Sequence, residues 1–191
     1  ISREDAVRSL GLDPAKKMIL LVGGSLGART INESVLQHLD LVKESDVQFV
    51  WQTGKYYNAS INEQLKGQEL PNLKVTDFIT DMGAAYKAAD LVISRAGASS
   101  ISEFCLIGKP VILVPSPNVA EDHQTKNALA LANRDAAIYV KDAEAPDMLL
   151  KLAIDTVNND EKLKSLSENV LKLALPDSAN IIAKEVIKLA K

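Results

Sequence analysis

Cysteines and long apolar stretches are nearly absent from this sequence. Of its 191 residues only Cys105 is a cysteine, which excludes an internal disulfide framework and a zinc site built from several cysteines. Cys105 lies in an apolar helical pattern, and we expect it to be a small buried core residue. No apolar run reaches the roughly 18 residues of a membrane-spanning helix, and no signal peptide is recognisable. We therefore expect the chain to be soluble and cytoplasmic.

An excess of charge of one sign is also missing. The formal net charge is -3 and like charges form no blocks, which argues against a nucleic-acid-binding protein held by phosphate contacts. No spacing of His, Cys, Asp and Glu residues indicates a dedicated metal site, so we expect neither a metal nor another cofactor. The first residue is Ile1 rather than methionine, and we interpret the chain as a piece of a longer protein.

Short apolar runs alternate with helical patterns along the chain. The runs predict six strands, at residues 17–22, 47–51, 73–76, 91–93, 111–114 and 137–140. Helical spacing predicts helices at residues 3–10, 31–42, 56–66, 82–88, 121–133, 146–158, 161–173 and 178–189, and a further helix that ends near residue 106. Strands that alternate with helices connect as parallel, right-handed crossovers. The sequence therefore predicts an α/β fold with a doubly wound, Rossmann-like parallel sheet, in one domain over residues 1–191 with a helical carboxyl-terminal tail.

A glycine-rich turn follows the first predicted strand, at residues 23–27. In doubly wound sheets the ligand crevice lies beyond the carboxyl ends of the strands, which is where this turn falls. The Ser25 hydroxyl could donate to a phosphate or could cap the next helix, and the local pattern leaves both interpretations open. The turn is neither a dinucleotide fingerprint nor a phosphate loop ending in Gly-Lys-Ser/Thr, so NAD and ATP lose support as ligands.

A second turn of small residues follows the fourth predicted strand and consists of Gly97, Ala98, Ser99 and Ser100. Gly97 permits a tight turn, and its small neighbours leave the backbone approachable. The first amides of the following helix have no intrahelical partner and carry about half a positive charge. We therefore interpret the two turns together as the floor of a site for a nucleotide diphosphate.

Glu103 has two possible roles. It follows Ser100 by three residues, the spacing of a capping box in which serine and glutamate satisfy each other's backbone amides. It could instead project into the crevice and accept hydrogen bonds from a ribose diol. The local pattern favours the cap over the ribose.

A polar segment at residues 121–127 follows the fifth predicted strand. On a helix, His123, Gln124 and Asn127 share one face and could read sugar hydroxyls, because their side chains can donate and accept hydrogen bonds. The same residues could simply form a solvated helix end. His123 has no serine, cysteine or carboxylate in an evident catalytic arrangement, which makes it a poor catalytic candidate.

Five segments together resemble the MurG family of glycosyltransferases, which add N-acetylglucosamine to undecaprenyl-diphospho-muramoyl-pentapeptide in peptidoglycan synthesis. The segments occur in family order, at residues 22–32, 51–55, 78–82, 94–103 and 123–128. The resemblance covers nearly the whole chain but only the carboxyl-terminal, sugar-nucleotide-binding half of the family's enzymes. It implies half of a GT-B fold, with UDP-N-acetylglucosamine as the bound donor.

The resemblance also implies which residues bind the donor. Phe78 and Ile79 would flank the uracil, Ile79 through its backbone, and Glu103 would hold the ribose hydroxyls. The Ser25 hydroxyl and the amides of the second turn would hold the diphosphate, and the start of the helix at residues 121–133 would read the N-acetylglucosamine. The complete implied set is Ser25, Phe78, Ile79, Gly97, Ala98, Ser99, Ser100, Glu103, His123, Gln124 and Asn127.

The family's reaction resembles an inverting transfer in which UDP leaves as the acceptor hydroxyl attacks. Preorganised amides can stabilise the charge that develops on the departing diphosphate without a metal. The general base and the acceptor-binding loops belong to the family's amino-terminal domain, so no catalytic residue is assigned in this chain. We expect the chain to bind the donor without transferring the sugar, and the complete enzyme to sit peripherally on the cytoplasmic face of the inner membrane, where its lipid-linked acceptor lies.

Two alternatives stay open. The chain could be the donor subunit of a related glycolipid or dolichol-type glycosyltransferase, because such relatives share the two glycine turns. It could also be a non-catalytic module that binds nucleotide sugars. An assay of the acceptor used by the complete protein would distinguish the first alternative from a MurG-like enzyme. The coding region upstream of Ile1, with or without an acceptor domain, would distinguish the second.

Overall fold

A computed structural model of the chain describes residues 1–24, 27–118 and 123–174. These residues form a six-stranded sheet with helices on both faces. The strands are β1 (Met18–Val22), β2 (Gln48–Gln52), β3 (Leu73–Thr76), β4 (Leu91–Ser94), β5 (Val111–Leu113) and β6 (Ile138–Tyr139). The helices are α1 (Arg3–Ser9), α2 (Arg29–Leu36), α3 (Leu39–Glu44), α4 (Lys55–Leu65), α5 (Met82–Ala88), α6 (Ala98–Ile107), α7 (His123–Ala132), α8 (Ala145–Val157) and α9 (Asp160–Lys172), and a short 3-10 helix at Asp142–Glu144 precedes α8.

All neighbouring strands are parallel, in the order β3-β2-β1-β4-β5-β6. The chain moves outward from β1 to β3, returns across the sheet to β4 beside β1, and then moves outward again to β6. A reversal of strand order of this kind creates a ligand crevice at the carboxyl edge of the sheet. The predicted doubly wound, Rossmann-like sheet of six parallel strands is confirmed.

The strands are apolar on both sides because helices cover both faces of the sheet. In β1, Met18 and Leu20 belong to an apolar cluster with side chains of α1, α5, α6 and α7. Ile19 and Leu21 belong to a second cluster with side chains of α2, α3, α4 and α8. The alternation within one strand therefore divides the core into two layers.

The two described helices of the predicted tail are part of this core. Leu149 and Ala153 of α8 are fully buried in the second cluster. Helix α9 reaches both layers, with Leu163 in the second cluster and Val170 in the first. The helix predicted at residues 178–189 lies outside the described residues.

The prediction of a single helix over residues 31–42 is wrong, because two helices, α2 and α3, occupy this stretch. The break falls at His38, whose φ of -131° and ψ of 39° are outside the helical range. His38 Nε2 lies 2.9 Å from Pro146 O at the start of α8. The apolar spacing continues across the break, so it could not reveal a turn that packs against a distant helix.

Cys105 is buried in the cluster that contains α6, as predicted, with 5% of its surface exposed. Burial raises the pKa of its thiol because the charged thiolate is disfavoured away from water. The thiol therefore stays protonated at neutral pH and is a poor nucleophile.

A buried polar contact joins α2 to the end of β2. Trp51 Nε1 donates to Asn32 Oδ1 (2.8 Å), and Asn32 Nδ2 donates to Thr53 O (3.0 Å). Both side chains are buried, so water cannot replace either partner. Asn32 therefore holds the helix after the first glycine turn against the strand beside β1.

We expect Asn32→Ala to lower the free energy of unfolding by about 2–3 kcal/mol, because it leaves the Trp51 N–H buried without an acceptor. Urea denaturation followed by tryptophan fluorescence measures the change, since Trp51 is the one tryptophan in the sequence. Asn62→Ala is the control, because the hydrogen bond between Asn62 Nδ2 and Asn58 Oδ1 (2.9 Å) is exposed on α4. The control should change the free energy by less than about 0.5 kcal/mol, and equal losses would contradict the role of Asn32.

Candidate functional site

The two glycine turns meet where the strand order reverses. β1 and β4 are neighbours with Val22 opposite Ser94, so the turns that follow them leave the same edge side by side. The first turn leads into α2 and the second into α6, and both helices begin at this edge. Unpaired amides at two neighbouring helix amino ends favour a bound anion.

Close packing within the protein requires two glycines of the first turn, Gly23 and Gly27. Gly27 has φ +90°, and a Cβ atom there would lie 2.4 Å from Thr53 O. A Cβ atom on Gly23 would lie 2.6 Å from Ala28 N. Gly27 is therefore packed closely against Thr53, the residue that follows β2. Ser25, the predicted phosphate ligand of this turn, lies outside the described residues.

The second turn is open where the first is packed. Gly97 has φ -69° and ψ 147°, a conformation that any residue adopts, and a Cβ atom there would have no heavy atom within 4 Å. Gly97 is the N-cap of α6, and no side chain caps the helix. Ala98 and Ser99 are exposed and Ser100 is half-buried. The start of α6 is therefore exposed, and within residues 1–24, 27–118 and 123–174 no contact of Gly97 requires a glycine.

The capping box considered for Ser100 and Glu103 is wrong. Helix α6 begins at Ala98, which makes Ser100 its third residue rather than its cap. Glu103 is exposed, and among the described residues its carboxylate takes part in no hydrogen bond or ion pair. The local pattern misled because the helix starts two residues earlier than the capping residue that it suggested.

Glu103 lines a groove of about 420 Å³ between α5 and α6, together with Gly83 and Tyr86. Burial and, to a lesser degree, the negative charge of Glu103 raise the pKa of Tyr86 to about 12. The Tyr86 ring packs edge-on against Phe104, with ring centroids 5.7 Å apart. The groove is therefore lined by a neutral aromatic side chain and the Glu103 carboxylate, together with the cationic side chains of Arg3, Lys87 and Lys109.

Phe78 and Ile79 lie in the loop between β3 and α5. Phe78 exposes 48% of its surface, whereas Ile79 exposes 7% and packs into the core, so Ile79 offers a ligand mainly its backbone. Thr76 Oγ1 donates to Phe78 O (2.8 Å) and holds the loop. Both residues line a separate groove of about 370 Å³, and the structure does not bring them into the groove that Glu103 lines. The start of α5 separates the two grooves.

The polar side chains of α7 brace the second turn. Gln124 Oε1 accepts hydrogen bonds from Ala96 N (3.1 Å) and Ser116 N (3.0 Å). Asn127 Nδ2 donates to Ala96 O (2.9 Å). Both backbone groups of Ala96, the residue before Gly97, are thus held by one helix. His123, the first residue of α7, is half-buried.

This bracing corrects two expectations for α7. Asn127 is completely buried, so in this conformation it has no surface with which to contact a sugar. A solvated helix end is equally wrong for Gln124 and Asn127, because both are buried and hydrogen-bonded to the backbone. The expected sugar contact of His123 stays a prediction. The shared helical face was predicted correctly, but the spacing could not show which group the face meets.

Arg95 and Asp142 were not recognised in the sequence as parts of the site. Arg95 Nη1 donates to Asp142 Oδ1 and to the backbone oxygens of Val114 (3.2 Å) and Pro115 (3.1 Å). Thr30 Oγ1 donates to Asp142 Oδ2 (3.0 Å). The sequence feature that could have drawn attention to Arg95 is its size and charge, because it stands among small residues between β4 and α6.

Two kinds of feature are absent from residues 1–24, 27–118 and 123–174. No group of three or more His, Cys, Asp and Glu side chains is placed to hold a metal ion. No helix in these ranges has both the length and the apolar character needed to cross a membrane.

Known proteins resemble this chain in sequence. The model of the glycosyltransferase family 28 C-terminal domain matches residues 18–182. A UDP-N-acetylglucosamine–N-acetylmuramyl-(pentapeptide) pyrophosphoryl-undecaprenol N-acetylglucosamine transferase of Bacteroides fragilis is 68% identical, over 99% of this chain and 50% of that protein. A protein of the same name from Phocaeicola vulgatus is 66% identical, over 100% of this chain and 51% of that protein. The chain thus spans about half the length of the curated relatives it matches.

Solved structures resemble it in fold. Acinetobacter baumannii MurG superposes with a TM-score of 0.74 at 30% sequence identity, over 98% of this chain and 53% of that one. WaaG, a glycosyltransferase of lipopolysaccharide biosynthesis, superposes with a TM-score of 0.63 at 16% identity, which shows the fold alone. The predicted half of a GT-B fold is confirmed. The chain belongs to glycosyltransferase family 28, of which it is a carboxyl-terminal domain.

Proposed function

We propose that this chain is the donor-binding half of an inverting glycosyltransferase that transfers N-acetylglucosamine from UDP-N-acetylglucosamine to a lipid-linked muramoyl-pentapeptide, converting lipid I to lipid II. The observation that carries the proposal is the open amino end of α6 beside the first glycine turn. The names of the relatives that are 68% and 66% identical support the choice of donor sugar and acceptor.

The diphosphate would bind across the two turns. The amides of Ala98, Ser99 and Ser100 have no intrahelical acceptors, and in the part of the chain that the structure describes no side chain caps them. When the sugar is transferred, negative charge develops on the departing UDP. Amides already fixed in position stabilise that charge without reorganising, which lowers the barrier to transfer. The Ser25 hydroxyl would add a further donor from the first turn.

The nucleoside would bind along the start of α5 and α6. The unpaired Glu103 carboxylate would accept hydrogen bonds from the two ribose hydroxyls, while the Ile79 backbone and the exposed Phe78 ring would flank the uracil. Phe78 and Glu103 line different grooves, so the uridine would bridge the start of α5 between them.

The sugar would lie toward α7, where His123 and Gln124 would read its hydroxyls. The hydrogen bonds that Gln124 Oε1 accepts from Ala96 and Ser116 hold this side chain in place. Asn127 would act indirectly, because its contact with Ala96 O fixes the turn that binds the diphosphate. Contact through a fixed side chain costs little conformational entropy on binding.

The rest of the reaction would require the other half of the enzyme. The general base and the acceptor site would lie in an amino-terminal domain, because the curated relatives are about twice as long as this chain. A lipid-linked acceptor would place the complete enzyme on the cytoplasmic face of the inner membrane. This chain alone should bind the donor without turning it over.

Calorimetry with UDP-N-acetylglucosamine, UDP-glucose and UMP tests the donor. We expect UDP-N-acetylglucosamine to bind more tightly than UDP-glucose, which lacks the acetamido group, and UMP to bind most weakly because it lacks the second phosphate. Failure of all three to bind at about millimolar concentration, the range of a weak complex, would overturn the proposal. Turnover of the donor onto the lipid by this chain alone would contradict the division of labour.

Glu103→Ala should weaken UDP binding at least about tenfold, the effect of losing one charge-assisted hydrogen bond to the ribose. Its thermal midpoint should stay unchanged, since Glu103 caps no helix. Glu63→Ala is the matched control, because it removes an exposed glutamate from α4, where Glu63 pairs with Lys66 at 2.8 Å. Equal UDP affinity in Glu103→Ala and Glu63→Ala would rule out the ribose contact.

Gly97→Ser should move stability and affinity in opposite directions. Serine is a good N-cap, and its hydroxyl would accept hydrogen bonds from the amides of Ser99 or Ser100, so the free energy of unfolding should rise by about a few tenths of a kcal/mol. The same bond would compete with the diphosphate and lower UDP affinity about tenfold, while uridine binding is kept. Calorimetry and thermal denaturation measure the two effects.

Gly67→Ala should affect stability but not UDP affinity, and so serves as the control for Gly97→Ser. Gly67 has φ +79°, which disfavours a side chain, and a Cβ atom there would have open space around it. We expect this variant to lose about 1 kcal/mol of stability and to keep its UDP affinity. Unchanged UDP affinity in Gly97→Ser would show that no phosphate uses the amides of α6.

A further inference from the structure

The carboxylate of Asp142 connects the two glycine turns. Its Oδ1 accepts a hydrogen bond from Arg95, which lies between β4 and the second turn, and its Oδ2 accepts one from Thr30 (3.0 Å), the second residue of α2 after the first turn. Asp142 itself begins the short 3-10 helix after β6. One side chain thus links the elements that follow β1, β4 and β6.

Arg95 extends this link to a fourth element. Its Nη1 also donates to the backbone oxygens of Val114 and Pro115, just beyond β5. The side chains of Arg95 and Asp142 are 20% and 16% exposed. A pair this far removed from water is held more rigidly than a surface ion pair, and losing one partner leaves the other poorly solvated.

A link of this kind would limit how far the two turns can move relative to each other. A diphosphate that spans both of them needs each amide within hydrogen-bonding distance of its oxygens, so a shift of one turn relative to the other weakens the binding steeply. No atom of Asp142 needs to touch the ligand for this effect.

We propose that Asp142, through Arg95 and Thr30, is a positioning residue that sets the spacing of the two phosphate-binding turns. The proposal rests on the proposed function, because it assumes that a nucleoside diphosphate binds across both turns. It adds Asp142, Arg95 and Thr30, none of which was among the expected ligands.

The test compares Asp142→Asn with Asp90→Asn. Asp90 is a close match: its side chain is also 16% exposed and its Oδ2 accepts from Arg3 Nη2 (2.7 Å) and Met18 N (2.8 Å), but it lies before β4, at the opposite edge of the sheet. Calorimetry of the 191-residue chain with UDP and with uridine separates a phosphate effect from a general one.

We expect Asp142→Asn to weaken UDP binding about tenfold, the equivalent of one charge-assisted hydrogen bond, and to leave uridine binding within about twofold. Thr30→Val, which removes only the neutral hydrogen bond, should give a smaller loss for UDP. Asp90→Asn should reduce thermal stability to a similar degree as Asp142→Asn; because its partner Arg3 lines the groove that Glu103 also lines, any effect of Asp90→Asn on binding should be equal for UDP and uridine. Equal losses for UDP and uridine in Asp142→Asn, equal UDP losses in both aspartate variants, or no UDP loss would overturn the positioning role.

Amide hydrogen exchange tests the same role without a ligand. Asp142→Asn should accelerate exchange of the amides of Gly27 and Ala96, which are protected by hydrogen bonds to Gly24 O and Gln124 Oε1, whereas Asp90→Asn should not. Unchanged exchange at both turns would overturn the positioning role even if UDP binds. Failure of the wild-type chain to bind either UDP or uridine would instead overturn the proposed function, while the exchange result would still decide whether Asp142 holds the turns together.

Discussion

Because β1 pairs in parallel with β4, the first and second glycine turns leave the sheet at adjacent positions, and the remaining features of the site depend on this pairing. It places the amino ends of α2 and α6 at one edge and concentrates the unpaired amides of two helices there. The two turns are built differently. The first is packed against the end of β2 so closely that Gly27 cannot carry a side chain, whereas Gly97 in the second borders open space. Contacts within the protein therefore account for Gly27 in the first turn but not for Gly97 in the second.

A layer of polar side chains behind the turns keeps them in place. Gln124 and Asn127 hold both backbone groups of Ala96, and Arg95 reaches past the end of β5 to Asp142. Turns made of small residues have few side-chain contacts of their own, so their geometry must come from neighbouring elements. This support matters for chemistry, because amides stabilise a developing charge only to the extent that they are fixed before it develops.

If the chain is the donor-binding half that we propose, family 28 membership and the half-length match explain why no catalytic residue is assigned to it. The described residues present amides, the unpaired Glu103 and the start of α7, which are suited to hold a donor and to stabilise a leaving group. In a two-domain glycosyltransferase the acceptor and the base would approach this edge from the other domain. Closure between the two domains would exclude water, which would strengthen the electrostatic contacts with a bound diphosphate.

The strands, most helices and both glycine turns can be predicted from local patterns, because apolar spacing and glycine act over a few residues. The five segments that resemble the family can likewise be recognised in the sequence, because each is a continuous run of residues. Contacts between distant residues leave no such trace: Asp142 meets Arg95 across 47 positions and Thr30 across 112. The same reason explains the break at His38 and the burial of Asn127, which arise from packing against α8 and against Ala96. Local patterns predicted which residues follow the carboxyl ends of the strands, whereas the partner of each polar group depended on how the folded sheet brings separate loops together, since a hydrogen bond needs its two atoms within about 3 Å.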